Sequence, residues 1–425
     1  MEQSISLPPK WNQASLIAFR FFFVYFVLHL FPFPWYLIPY SWSLFQPLSE
    51  FHSHIVEIIA KGIFKVDASV INAGSGDAAV NYVNMVSLLF YSLVATLIFS
   101  VMDRKRNDYE KLSYGLSVLL RYYLAIAMLQ YGFAKIFRTQ FPFPSIDKML
   151  QSYGESSPMG LLWTFMGYST AYNIFIGLWE VVGGCLLFFK RTRLLGALLI
   201  IGVMSNVVML NLSYDVPVKL HSMHLLTIAI FLAVPDANRL VAFFFNKPVE
   251  PYPVKFDIKN RISWVYAAAK VLILFILLSN VWGGVQTQRQ EAKIVSKMGN
   301  EKSYLGEFEV ERFVLNGETI PPDPNSTSRW KKVLISGRNI DIQYMDGGSL
   351  PWLFHGNDRS RKIVLLSPDL STRGNFDFRN EQGVLSLEGL INEDSLKVVL
   401  RKKSENSFVL SNRGFHWVSN EPFYR

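Results

Sequence analysis

Long apolar stretches separated by short polar joints run through the first two thirds of the chain, and about 20 apolar residues suffice for one membrane crossing. The pattern predicts seven such helices, over 14–31, 79–102, 116–137, 169–189, 194–211, 218–234 and 262–283. The sixth is the shortest, and residues 240–245 either extend it or lie in the interface as an amphipathic piece. A long joint, 32–78, carries Leu48, Phe51, Ile55, Ile58, Ile59 and Ile63 at helical spacing and predicts a helix on the outer membrane face. Gly74-Ser75-Gly76-Asp77 then supplies a turn and an N-cap for the second span.

The pattern changes near residues 284–300. From Arg329 onward short alternating runs replace the long ones, at Trp330–Ser336, 340–344, Lys362–Leu366, 374–379, 384–387, 396–400 and 408–410, separated by turns such as Asp346-Gly347-Gly348. Seven or eight short strands predict an all-β barrel or sandwich, and the meander spacing suits a lipocalin-like barrel whose aromatic end, Phe415-His416-Trp417 and Phe423-Tyr424, either fills a small core or plugs or edges the barrel. The expected fold class is therefore an α-helical polytopic membrane bundle followed by an all-β domain. Its expected domains are a transmembrane part over 1–290 and an extracytoplasmic β-rich part over 300–425.

Composition agrees with two regimes in one chain: 425 residues are 50% hydrophobic, 15% aromatic and 18% charged. The net charge of +9 resides in Lys and Arg at helix ends, which suits lipid headgroups and excludes a nucleic-acid partner. Counting Lys and Arg in alternate joints gives thirteen against five, which places the N-terminus in the cytoplasm and, after seven crossings, the C-terminal domain outside. The first apolar run lacks a cleavage pattern and reads as a retained anchor. The single cysteine, Cys185, excludes an internal disulfide and a CxxC pair.

Ionisable and polar residues within spans mark candidate sites. At 1.5 Å per residue, Lys135, Asn206, His221 and His224 fall within roughly 10 Å of the outer hydrocarbon boundary, and Glu180 lies deeper, at about 16 Å. They come from four consecutive spans and are expected to meet in an outward-facing cavity, with Lys135, Asn206 and Glu180 binding a ligand and Glu180, His221 and His224 as catalytic groups. Lys135 is the expected counter-charge of Glu180; the alternatives are snorkelling for the lysine and a helix–helix hydrogen bond for the glutamate. His221 and His224, spaced i, i+3, share a helix face compatible with metal or haem ligation, quinone hydrogen bonding or proton transfer. With no nearby cysteine or second acidic ligand they are assigned no metal. His29, near the outer end of the first span, is within reach of the same cavity, while Arg20, Arg121 and Lys270 read as headgroup anchors. A transporter is disfavoured, since no inverted repeat is evident.

Leu120-Arg121-Tyr122-Tyr123 through Tyr131-Gly132-Phe133-Ala134-Lys135-Ile136, then Gly177-Leu178-Trp179-Glu180-Val181-Val182-Gly183-Gly184 and the basic turn Lys190-Arg191-Thr192-Arg193, resemble the DoxX-like membrane family. That family takes in the small membrane subunit of thiosulfate:quinone oxidoreductase. The resemblance covers residues 118–236 and implies a DoxX-like four-helix core at about 116–236. The whole arrangement looks like the larger bacterial DoxX-like proteins, whose superfamily includes membrane domains related to vitamin K-dependent γ-carboxylase. This chain is much shorter than the carboxylase and shows no counterpart of its large lumenal parts. The resemblance implies a bacterial cytoplasmic membrane location, a quinone-like ligand and a redox-associated role, with the β-domain recruiting a soluble electron donor or other extracytoplasmic protein. The reading from another class is a non-enzymatic lipid-binding or scaffolding membrane protein that acts through its β-domain.

Overall fold

Among the described residues, six helices are long and apolar enough to cross a membrane, which makes this a polytopic membrane protein. The computed structural model describes residues 11–35, 42–65, 77–144, 153–249 and 306–403 apart from a few loop positions, together with isolated positions elsewhere. Two compact units result: Met1–Gln140 with Thr170–Gly284, and Phe141–Ser169 with Val285–Arg425. The seventh expected span, Lys270, Gly74–Gly76, the strand at 408–410 and the aromatic C-terminal segment lie largely or wholly outside the described residues.

The helices are α1 (Gln13–Leu30), α2 (Trp42–Ile59), α3 (Ala79–Met102), α4 (Glu110–Ile136), α5 (Pro158–Tyr168), α6 (Thr170–Leu187), α7 (Arg193–Ser213), α8 (Lys219–Ala233) and α9 (Ala237–Phe244). A single turn at Val234–Asp236 joins α8 to α9, so the sixth span runs on to Phe244. The joint after α1 does form a helix, α2, which buries Val56 against Val80 and Val83 of α3 and leaves Leu48, Phe51 and Ile58 exposed.

In the first unit α4 is central. It buries one face from Leu116 to Lys135, and Leu120, Leu124 and Met128 are wholly enclosed, together with Ile200 of α7 and Leu225, Ile228 and Leu232 of α8. Lipid is as apolar as leucine, so helices gain from close approach more than from burial, and small residues permit it. Gly132 of α4 and Gly177 of α6 face each other so closely that a Cβ on either would lie 2.6–2.7 Å from the other's carbonyl oxygen. Seven residues on, Gly184 meets the carbonyl of Ala125, while Gly183 and Gly196 bring α6 against α7.

Arg20 and Arg121 are buried, which corrects their reading as headgroup anchors. Arg20 bonds Tyr109 Oη and Ser100 Oγ at 2.9 Å and the carbonyl of Asp103 at 3.2 Å, closing the end of α3. Arg121 donates at 2.9 Å to the carbonyl of Leu187, the last residue of α6. Both guanidiniums satisfy carbonyls at helix C-termini, where the backbone dipole favours a cation.

Among the described residues the second unit has nine strands: β1 (Gly306–Leu315), β2 (Glu318–Thr319), β3 (Trp330–Ser336), β4 (Asn339–Tyr344), β5 (Ser349–Asn357), β6 (Lys362–Leu366), β7 (Arg373–Glu381), β8 (Val384–Ile391) and β9 (Asp394–Lys402). All pairings are antiparallel. From β3 to β9 each strand pairs with the next in sequence, and β1 closes the circle by pairing with both β3 and β9. The result is an eight-stranded up-and-down barrel, with β2 as a short flap joined to β1 through Asn316-Gly317. Both turn residues have positive φ, 52° and 85°, which is what a two-residue turn between twisted strands requires.

Strict alternation sends Phe376 and Phe378 of β7, Leu385 and Leu387 of β8, and Val398 and Leu400 of β9 inward, where they meet Phe308, Trp330 and Phe354. The barrel interior is thus a packed apolar core. Glu307 lies on the strand face opposite the inward-pointing Phe308 and is nonetheless buried, held by Lys332 at 2.5 Å and Lys403 at 3.1 Å. Burial pushes its carboxyl up, but the hydrogen bonds from the two lysines outweigh that and hold it below the usual carboxylate range. A folded-state value below the unfolded one stabilises above the unfolded pKa and is lost as pH falls through the folded value. Denaturant melts of wild type and Glu307→Gln should therefore converge in acid and separate by about 1–3 kcal/mol at neutral pH; a gap independent of pH overturns this.

Candidate functional site

The close crossing of α4 and α6 fixes the first pair. Lys135 lies three residues beyond Gly132, and Glu180 three beyond Gly177, so each side chain emerges beside the glycine contact. Lys135 Nζ donates to both Glu180 oxygens, at 2.9 and 2.8 Å, and the two residues are 6% and 2% exposed. The ammonium also stands 5.5 Å from the ring centre of Tyr131, one turn back on α4. In an apolar span a lone carboxylate is costly; here both charges are matched and hydrogen-bonded.

Tyr131 leads to a second group of polar side chains. Its ring lies 6.0 Å from that of His221 on α8. One turn along α8, His224 places Nδ1 2.7 Å from the carbonyl of Leu220 and Nε2 2.5 Å from the hydroxyl of Tyr25 on α1. A carbonyl only accepts, so Nδ1 carries the hydrogen and Nε2 accepts from Tyr25 in the neutral ring. His29, one turn beyond Tyr25, stacks on His224 with ring centres 4.1 Å apart and an interplanar angle of 11°. Three helices therefore bring three imidazoles and two phenols together.

The same end of the bundle shows how α8 is held. Asp77, just before α3, accepts the backbone N–H groups of Lys219 at 2.8 Å and Leu220 at 3.0 Å. It caps α8 from another helix, whereas α3 itself starts without a side-chain cap; this corrects the assignment of Asp77 to the second span. Asn211 of α7 adds a bond to Ser222 Oγ at 3.0 Å. Since His221 and His224 lie within the first two turns of α8, Asp77 positions both. Asp77→Ala should lower the unfolding free energy of the detergent-purified protein by about 1–2 kcal/mol, with Asp77→Asn, which keeps one of the two accepting oxygens, losing less; equal loss in both variants argues against capping.

Of the residues expected to meet, Lys135 and Glu180 pair directly, and His221 and His224 join His29 in the neighbouring group. Asn206 does not join them. Met204, Val208 and Asn211 occupy the buried face of α7, and Asn206, half a turn away, is exposed. Tyr25, Tyr131 and Asn211 are additions. The first two carry a legible signal, since Tyr25 stands four residues before His29 and Tyr131 four before Lys135, on shared helix faces.

No family model matches the chain, and no solved structure matches it. An uncharacterized protein of Bacillus subtilis (strain 168), YwoB, is 30% identical over 132 residues, which is 31% of this chain and 82% of YwoB.

Proposed function

This chain belongs to the same family as YwoB of Bacillus subtilis, and we propose that it is a DoxX-like redox component of the bacterial cytoplasmic membrane that handles a quinone-like ligand at the Tyr25–His224 group. The observation carrying this reading is the buried hydrogen bond from Tyr25 to an imidazole whose other nitrogen is already committed to Leu220. Polar groups in an apolar bundle are retained at a cost to stability, and a phenol–imidazole pair is a proton-transfer unit. Phenol and imidazole groups suit the carbonyl oxygens of a quinone, and such a ligand would bind by displacing the Tyr25–His224 hydrogen bond or at the ring nitrogens of the neighbouring His29 and His221.

Such a ligand, when bound, supplies the electron chemistry. The residues of this chain hold and move protons: Tyr25 donates toward the ligand or toward His224 Nε2, His221 links the group to Tyr131, and the Lys135–Glu180 pair keeps the neighbouring charge balanced. In this reading the N-terminus is cytoplasmic and the β-barrel is extracytoplasmic, where it recruits an electron donor. A second reading, a lipid-binding or scaffolding protein, is supported by the completeness of the Lys135–Glu180 pairing, which suits a structural clamp.

The two readings separate on what co-purifies. Protein extracted in mild detergent should carry a quinone near stoichiometrically, identified by mass spectrometry and ultraviolet absorbance, and lose it in His224→Ala and Tyr25→Phe. Bulk lipid alone, equal in wild type and both variants, removes the redox reading.

A further inference from the structure

The opposite end of the helical unit, where α1 and α4 begin and α6 and α8 end, contains a cavity of about 580 Å³. That volume lies in the usual range for small-molecule sites. Its wall is aromatic and aliphatic, with Trp11, Phe19 and Phe22 of the α1 region facing Ile230 and Phe231 of α8. Charged groups sit together on another part of the lining: Lys190 from the turn after α6, Arg193 at the start of α7, Arg239 of α9, Glu110 of α4 and Asp236.

These charges are organised. Asp236 is 1% exposed and bonds two guanidiniums at once, Arg193 and, at 3.0 Å, Arg239. One carboxylate shared by two guanidiniums leaves the cluster with a net positive charge, and it orients both forks at the cavity wall. Lys190, whose ammonium stands 5.8 Å from the ring centre of Tyr114, adds a third cation. Among the described residues of the lining, three cations stand against two carboxylates, beside an apolar wall that a small hydrated anion does not need.

We propose that this cavity binds an anionic amphiphile, a phosphate or carboxylate head at Lys190, Arg193 and Arg239 with an apolar tail along Phe22, Ile230 and Phe231. The site is separate from the Tyr25–His224 group and stands whether or not a quinone binds there. Asp236 acts as the fixed counter-ion that keeps the two arginines in place when the cavity is empty, so that binding needs little rearrangement.

The test uses the full-length protein in dodecyl maltoside with dioctanoyl phosphatidylglycerol, the matched phosphatidylcholine, octanoate and inorganic phosphate as probes, read by native mass spectrometry and isothermal titration. Phosphatidylglycerol should bind saturably and at least about tenfold tighter than phosphatidylcholine, and Lys190→Gln/Arg239→Gln should lose at least that factor. Ser117→Leu, which puts a larger apolar side chain on the cavity lining and leaves every charged residue in place, should weaken binding as well. Brominated phosphatidylglycerol should quench tryptophan emission less in Trp11→Phe than in wild type. Saturable octanoate binding without phosphatidylglycerol binding assigns the head as a carboxylate, within the proposal. Equal affinity for the two phospholipids, binding unchanged in both variants, or phosphate binding as tightly as the amphiphiles overturns it.

Discussion

Lys135→Met should be among the most destabilising single substitutions in the helical unit, at about 3–5 kcal/mol, because it leaves the Glu180 carboxyl buried without its counter-charge. The lysine donates to both carboxylate oxygens from within a nearly closed contact, and methionine offers neither. Glu180→Gln should cost less, since an amide oxygen still accepts from the ammonium. The informative variant is Lys135→Met/Glu180→Leu, which removes both charges with little change of volume and should recover most of the loss. Thermal midpoints in one detergent, with secondary structure followed by circular dichroism, measure all three. If the double variant is as unstable as Lys135→Met, the loss comes from packing around the lysine stem and the charge argument fails. If it is stable yet no longer retains its ligand, the pair is kept for chemistry at the expense of stability.

Much of this was legible in the chain and some of it was not, for identifiable reasons. Apolar length alone located all six described spans, because the bilayer sets a minimum that soluble cores do not impose. The Lys135–Glu180 pairing followed from the cost of a carboxylate in an apolar run. Strand periodicity found β3 and β6 at their observed limits but passed over β1 and β5. β1 carries Glu307, Glu309 and Glu311, so that burial of Glu307 beside Phe308 spoils its alternation, and β5 is punctuated by Pro351 and Gly356. Asn206 failed as a site residue because depth along a span was estimated and rotation about the helix axis was not; the buried spacing Met204, Val208, Asn211 held the needed phase. Asp77 was assigned to the nearest helix in sequence, and a cap donated across the bundle has no local signature. The Tyr25–His224 bond joins residues 199 apart, which no spacing rule reaches.

The glycine crossing of α4 and α6 makes the second large prediction: Gly177→Ala should destabilise by about 3 kcal/mol although it adds a single methyl group. The added carbon would lie 2.6 Å from the Gly132 carbonyl oxygen, 3.0 Å from Ile136 and 3.1 Å from the Cβ of Lys135. Backbone cannot yield as a flexible side chain does, so the helices must separate along the contact that sets the Lys135–Glu180 geometry. Gly202→Ala is the control, since a Cβ there meets nothing within 4 Å and removes only helix-breaking freedom; it should be neutral or stabilise by up to about 1 kcal/mol. The two effects at the crossing are coupled, because once the ion pair is gone, separation of the helices has less left to break. Gly177→Ala combined with Lys135→Met/Glu180→Leu should therefore cost less than the sum of its parts by at least about 0.5 kcal/mol. Strict additivity in the same thermal series would mean that the glycines and the ion pair are independent features of one helix interface, and the placement of Glu180 would then need a cause other than the close crossing.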